Sequence, residues 1–175
     1  MIEDKIRSLV EDIKESEGFS PVRYKCSNGV ISIGHGIALT RGLYDYEKEK
    51  LGINSIMELH TIDKETSEYL LKNTLYEIVL RLEKEEWITK VPPEKILIII
   101  ELCYNLGYDR FIKKFPNTVQ AIKDNRWNDT MIELLDSKYL SDVKGRAIKN
   151  ALSFVGVDLE LPKARKLYSI LKKRL

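Results

Sequence analysis

EGFSPVRYKCSNGVISIGHG, residues 17–36, decides how the rest of the chain is read. Within it a carboxylate, Glu17, and a thiol, Cys26, stand nine positions apart. Two short β-prone runs, VRYKC and VISIG, flank Ser27-Asn28-Gly29, which reads as a β-hairpin. Its turn admits two registers. A two-residue Asn-Gly loop pairs Cys26 with Ile31 and sends Ser32 to the opposite face. A three-residue loop with Gly29 left-handed pairs Cys26 with Val30 and places Cys26 and Ser32 on one face. The second is expected, because it groups two polar side chains instead of setting a thiol among isoleucines.

Upstream, Ile2, Ile6, Leu9, Val10 and Ile13 recur at helical spacing, so residues 2 to about 16 form an amphipathic helix. The next position on that stripe is Glu17, and Gly18 then ends the helix. A carboxylate where the pattern calls for an apolar residue belongs at the edge of a core, half desolvated. Downstream, residues 36–60 read as irregular, with short helices near 44–51 and 55–59. Asp63 is an N-cap for a long helix with the narrow stripe Leu71, Leu75, Ile78, Val79 and Leu82. After Pro92-Pro93, EKILIIIELCYNL is apolar nearly all round and reads as a buried central helix closed by Gly107. Further helical segments break at Phe115-Pro116, Asn125, Asp142 and Gly156. A last helix after Pro162 carries the stripe Leu161, Ala164, Tyr168, Leu171 and Leu175. The fold class is α+β, mainly α, with one small N-terminal sheet.

The 175 residues, 43% hydrophobic and 32% charged, suit one folded domain with a real core. Ile96–Ile100 is the longest apolar stretch and is far short of the roughly 20 residues that cross a bilayer. The acidic first turns lack the apolar block of a secretory signal. Synthesis in a cytoplasm without a signal peptide is therefore expected. Cys26 and Cys103, even with His35 and His60, are too few for a disulfide framework or a zinc cluster, so no metal or other cofactor is expected. Cys103, inside ILIIIELCY, reads as a small buried hydrophobe. Charge is uneven: residues 138–175 hold ten basic side chains against three acidic ones, although the whole chain is only +2. Such a segment is drawn toward a polyanion such as nucleic acid, anionic lipid or an acidic wall polymer, or is a solvated helix face.

Glu17-Gly18, Tyr24, the Asn-Gly turn and ISIGHG together resemble the active-site segment of the bacteriophage-type lysozymes, the endolysin muramidases of glycoside hydrolase family 24. The likeness continues through TIDKETSEYLLKN, ELCYNLGYDRF, FPNTVQAI, NRW and KGRAIK, and is poor only between Leu43 and His60. It implies a two-lobed fold over residues 1–175: a small lobe of about 17–62, a bridging helix of about 64–84, and a helical lobe of about 85–175 together with helix 2–16. It also implies a muramidase that cuts between N-acetylmuramic acid and N-acetylglucosamine in peptidoglycan. The expected partner is that substrate, with possible envelope contact through the basic C-terminal helix and with neither nucleic acid nor stable membrane insertion. A monomer acting on the wall after release is expected.

Position by position, the resemblance places Glu17 on the family's catalytic Glu, Cys26 on its Asp and Ser32 on its Thr. Arg146 falls on the arginine that reaches toward the acid, and Asn105 and Phe115 fall on cleft-lining, substrate-binding positions. Asn105 alternatively serves as a helix C-cap, and Arg146 as one more solvated base. His35 lies between the two glycines where the family's histidine commonly follows them, so that residue's role is not carried over. Replacing Thr by Ser keeps a hydroxyl, whereas replacing Asp by Cys does not keep a charge. An ordinary thiol is only a few per cent ionised at neutral pH. Three outcomes stay open: Cys26 as thiolate base or nucleophile, Cys26 as a water-positioning group, or loss of catalysis that leaves a glycan-binding module. A thiol hydrolase built on Cys26 and His35 fits less well, because such thiols usually sit at a helix N-terminus.

Overall fold

The computed structural model describes residues 2–26, 29–157, 160, 162–164, 166 and 169, with the side chains of residues 2–5, 142 and 143 left aside. The expected Ser27-Asn28 conformation, the Ile2 side chain, and Leu161, Tyr168, Leu171 and Leu175 of the last helix lie outside that set, as do Arg165 and Lys172, Lys173 and Arg174. The chain is mainly α with one antiparallel sheet near its start, and it divides into two compact units, Met1–Tyr76 and Glu77–Leu175.

The first unit begins with α1 (Ile2–Glu17), whose Ile6, Leu9, Val10 and Ile13 are buried. Gly18 closes it in a left-handed turn, φ +70°, with its N–H donated to the Lys14 carbonyl at 3.0 Å. The sheet follows, in the order β1 (Ser20–Lys25), β2 (Ile31–Gly34), β3 (Ile37–Ala38). Tyr24 pairs with Ser32 and Lys25 with Ile31. The Cys26 N–H donates to the Val30 carbonyl at 2.8 Å and the Gly29 N–H to the Cys26 carbonyl at 2.9 Å, which is the three-residue-loop register. Gly29 has the left-handed φ of +86° that this loop demands. The strand β3 is a departure from the expected irregular stretch. Two residues are too few to show a period of two, and only their pairing with Ser32 and Ile33 makes them a strand. On the other edge, Val22 bridges Thr61, the Ile62 N–H donates to the Pro21 carbonyl, and Arg23 donates to the Met57 and Leu59 carbonyls.

A buried ion pair organises the segment between β3 and the long helix. Glu47, on α2 (Asp45–Leu51), has no exposed surface, and its carboxylate receives both Nη atoms of Arg41 at 2.7 and 2.9 Å. The Tyr44 N–H (3.0 Å) and Asn73 Nδ2 (2.8 Å) complete the cage. After a single 3₁₀ turn at Ile56–Glu58, α3 (Lys64–Leu82) starts on Asp63, whose Oδ1 accepts the Thr66 N–H at 2.7 Å. Leu71, Leu75, Ile78, Val79 and Leu82 are all buried, as the stripe requires. The boundary between the two units falls within this helix.

The second unit is helical: after a 3₁₀ turn at Glu86–Lys90 come α4 (Pro93–Leu106), α5 (Tyr108–Lys114), α6 (Pro116–Lys123), α7 (Trp127–Leu135), α8 (Lys138–Val143) and α9 (Gly145–Phe154). The α7 helix packs on α6 and α9, with Trp127 stacked on Phe154 at 6.0 Å, and α4 packs on α5 and α9. Ile99, Ile100, Leu102 and Cys103 of α4 are buried, and burial pushes the Cys103 thiol up to about 12. The break expected at Asp142 occurs instead at Lys144, whose φ of +53° separates α8 from α9; a further break lies at Asp136-Ser137. Neither break residue is glycine or proline, although Gly145 directly follows the first and Ser137 caps α8 at the second. Ala164 is buried, as its place on the stripe predicts.

Burial by itself would push the Glu47 carboxyl upward, but the Arg41, Tyr44 and Asn73 hydrogen bonds and the Arg41 charge together hold it below the usual carboxylate range. Its stabilising effect is therefore full above the ordinary glutamate pKa and is lost as pH falls through the lower folded value. Glu47→Ala, which strands Arg41, should destabilise the protein by about 3–5 kcal/mol at neutral pH. In urea titrations the gap from wild type should shrink in strong acid.

Candidate active site

Three of the expected site residues belong to the first unit. Cys26 directly follows β1 and Ser32 lies on β2; the register turns both to one face, and Cys26 Sγ lies 3.3 Å from Ser32 Oγ, a hydrogen bond. Ser32 is buried and Cys26 half-buried. Glu17, the last residue of α1, is half-buried. Its side chain lies against Gly36: a Cβ on that glycine would stand 3.1 Å from Glu17 Cδ, and the φ of +85° already disfavours any other residue.

The turn that carries Gly36 is held from its other side. Gly34, at φ +65°, lies so close to Ser67 of α3 that a Cβ would meet Ser67 Oγ at 2.2 Å. Between the glycines, the His35 N–H donates to Ser67 Oγ at 2.9 Å and His35 Nδ1 lies 2.8 Å from the same oxygen. The His35 ring is buried, 5.1 Å from the Phe19 ring. Burial and the nearby Lys14 and Lys64 charges lower its pKa, against the opposing pull of Glu68 and Glu11. His35 thus pairs with a serine of the scaffold, an arrangement that gives no support to a Cys26–His35 thiol hydrolase.

Sequence reasoning missed Ser67. The signal was present: Ser67, Leu71, Leu75, Ile78 and Leu82 follow one helical stripe, so a polar residue stands at its head as Glu17 stands at the tail of the α1 stripe.

The other three expected residues belong to the second unit. Arg146 of α9 donates from Nη1 to Asn105 Oδ1 at 2.5 Å, Asn105 Nδ2 faces the Tyr139 hydroxyl at 3.4 Å, and Asn150 Nδ2 donates to that hydroxyl at 3.1 Å. A guanidinium only donates, so Asn105 must turn its oxygen toward Arg146 and its amino group toward Tyr139. Phe115, between α5 and α6, is buried 6.2 Å from Phe111 and borders a cavity of about 450 Å³ walled in part by Arg110, Lys114, Glu133 and Lys138.

Among the described residues no three His, Cys, Asp or Glu side chains group as a metal site, and no helix is long and apolar enough to cross a membrane. The model of the phage lysozyme family matches residues 14–152, a span that contains all six of these side chains. The chain belongs to the phage lysozyme family. No match to a curated protein was found. Membership carries the general activity of a lysozyme: a glycoside hydrolase whose substrate is peptidoglycan and whose place of action is the bacterial cell wall.

A histidine kept neutral by burial makes stability depend on pH. The unfolded chain takes up the proton near the ordinary histidine pKa while the folded chain resists it, so the unfolded state binds more protons and stability falls below about pH 6.5. Urea unfolding of wild type should lose stability from about pH 7 to about pH 5, and a His35→Gln variant should show a flatter slope over that window.

Proposed function

We propose that this lysozyme hydrolyses the bond between N-acetylmuramic acid and N-acetylglucosamine with Glu17 as general acid and with Cys26 and Ser32 as the pair that handles the attacking water. The observation that carries the reading is the 3.3 Å contact between Cys26 Sγ and Ser32 Oγ on one face of the hairpin, within the same unit as a half-buried Glu17. Glycoside hydrolysis needs an acid to protonate the leaving oxygen and a second group to direct water at the anomeric carbon. A half-buried carboxyl group at a helix end suits the first task. A thiol bonded to a buried hydroxyl suits the second, since each can accept and donate a hydrogen bond to one water.

The Glu17 proton goes to the bridging oxygen, the glycosidic C–O bond breaks, and the water adds to the anomeric carbon while giving up its own proton. The sequence context favours Cys26 as the group beside that water, where a thiolate accepts its proton, or a neutral thiol orients it while the proton passes to solvent water. With water as the nucleophile the configuration inverts; direct attack by the thiolate would retain it, and the first-formed anomer distinguishes the two. In the second unit, Arg146 with Asn105, and Phe115, are assigned to the glycan itself.

Clearing of isolated peptidoglycan, with new reducing ends counted, tests the assignment. Glu17→Gln should abolish both, Cys26→Ala should lower the rate about 10²- to 10⁴-fold, and Cys26→Asp should restore it. Binding without new reducing ends in wild type, not rescued by Cys26→Asp, would mark the chain as a glycan-binding module of the same fold. A Glu17→Gln variant as fast as wild type would remove Glu17 from the mechanism.

A further inference from the structure

Ser67 is fully buried in the first turns of α3. Its single oxygen meets the His35 N–H and His35 Nδ1, and lies only 2.2 Å from where a Cβ on Gly34 would stand. In the Nε2–H tautomer of a neutral imidazole Nδ1 carries the lone pair, and the Ser67 hydroxyl then donates there while accepting the backbone N–H; in the other tautomer Ser67 Oγ accepts from both nitrogens, and in either case one hydroxyl serves both halves of a buried residue. Two residues from Gly34, Gly36 lies against the Glu17 carboxyl group. The 34–36 turn therefore lies between a serine of α3 and the carboxylate at the end of α1. Those two helices are also joined directly, Lys14 of α1 pairing with Glu68 of α3 at 2.8 Å. Lys72 binds the same carboxylate, and the two lysines hold Glu68 down to about 2.

We propose that Ser67 is a positioning residue for the reaction: by gripping the 34–36 turn it sets where the Glu17 carboxyl group stands. The proposal rests on the reading of Glu17 as the acid. Without the hydroxyl, the His35 N–H loses the acceptor it has at 2.9 Å, and the turn loses its grip on α3 and shifts. Gly36 moves with it, and the surface on which Glu17 leans moves too. A displacement of about 1 Å at a reacting group is enough to cost roughly 10²-fold in rate.

The test compares wild type, Ser67→Ala, Ser67→Cys and Ser67→Thr on solubilised glycan strands, with Glu17→Gln alongside. Ser67→Ala should lower kcat about 10- to 100-fold with KM unchanged, and should displace the NMR shifts of the Gly36 amide and of Glu17 Cδ. Ser67→Thr, which keeps the hydroxyl, should restore kcat, whereas Ser67→Cys, close in size but a poor hydrogen-bonding group, should not. If Ser67→Ala does not fold, the Thr and Cys variants carry the test, and equal kcat in those two overturns the proposal. Wild-type kcat in Ser67→Ala with the Glu17 Cδ shift unmoved also overturns it. If Glu17→Gln is inactive in either of these cases, the positioning role alone has failed; an active Glu17→Gln means that the reading beneath it has failed.

Discussion

A buried backbone N–H must have a partner, and in this chain that requirement falls on the His35 amide. The turn around it cannot use a sheet neighbour, because β2 has ended and β3 has not begun. Ser67 supplies the acceptor from α3, and the two flanking glycines let the backbone come close enough for that bond and for contact with Glu17. Sheet, long helix and first helix meet at this turn. A methyl group on Gly34 would strike Ser67, and one on Gly36 would press on Glu17.

The same unit spends two buried polar arrangements on holding its irregular parts. Glu47 with Arg41, Asn73 and the Tyr44 N–H fixes the segment after the sheet to α3; Ser67 with His35 fixes the turn before it. Neither arrangement is a large source of net stability, since desolvation offsets most of what a buried ion pair or hydrogen bond returns. Their effect is specificity of geometry, because leaving any one partner unpaired is costly. A short sheet with few apolar pairs gains its fixed shape from such constraints.

In the proposed reading Cys26 stands where the family resemblance implies an aspartate, an exchange that concerns charge more than shape. A carboxylate at that position would steady a developing cation on the sugar, and a neutral thiol cannot. What the hairpin provides instead is a thiol and a hydroxyl bonded to each other on one face. In the proposed mechanism such a pair acts by orienting water more than by electrostatic attraction.

Local pattern carried much of this fold. The stripe of α1, the capping of α3 by Asp63 and the apolar surround of α4 depend on residues a few positions apart, whose spacing reports directly which side is buried. The three-residue hairpin loop followed from the preference of a thiol for a hydroxyl over isoleucines. The two-residue strand β3 and the break at Lys144 left no such trace, because one exists only through pairing with β2 and the other only as a backbone angle.

The sequence by itself pointed to the helical body, favoured one of two hairpin registers and singled out Glu17, Cys26 and Ser32 for attention. Tertiary structure decided that Ser67, more than thirty residues from His35, accepts its amide, that Glu17 rests on Gly36, and that Arg146 holds Asn105. Hydrogen bonds across long sequence separations depend on where whole elements dock, and docking is set by the sum of many apolar contacts that no short motif contains.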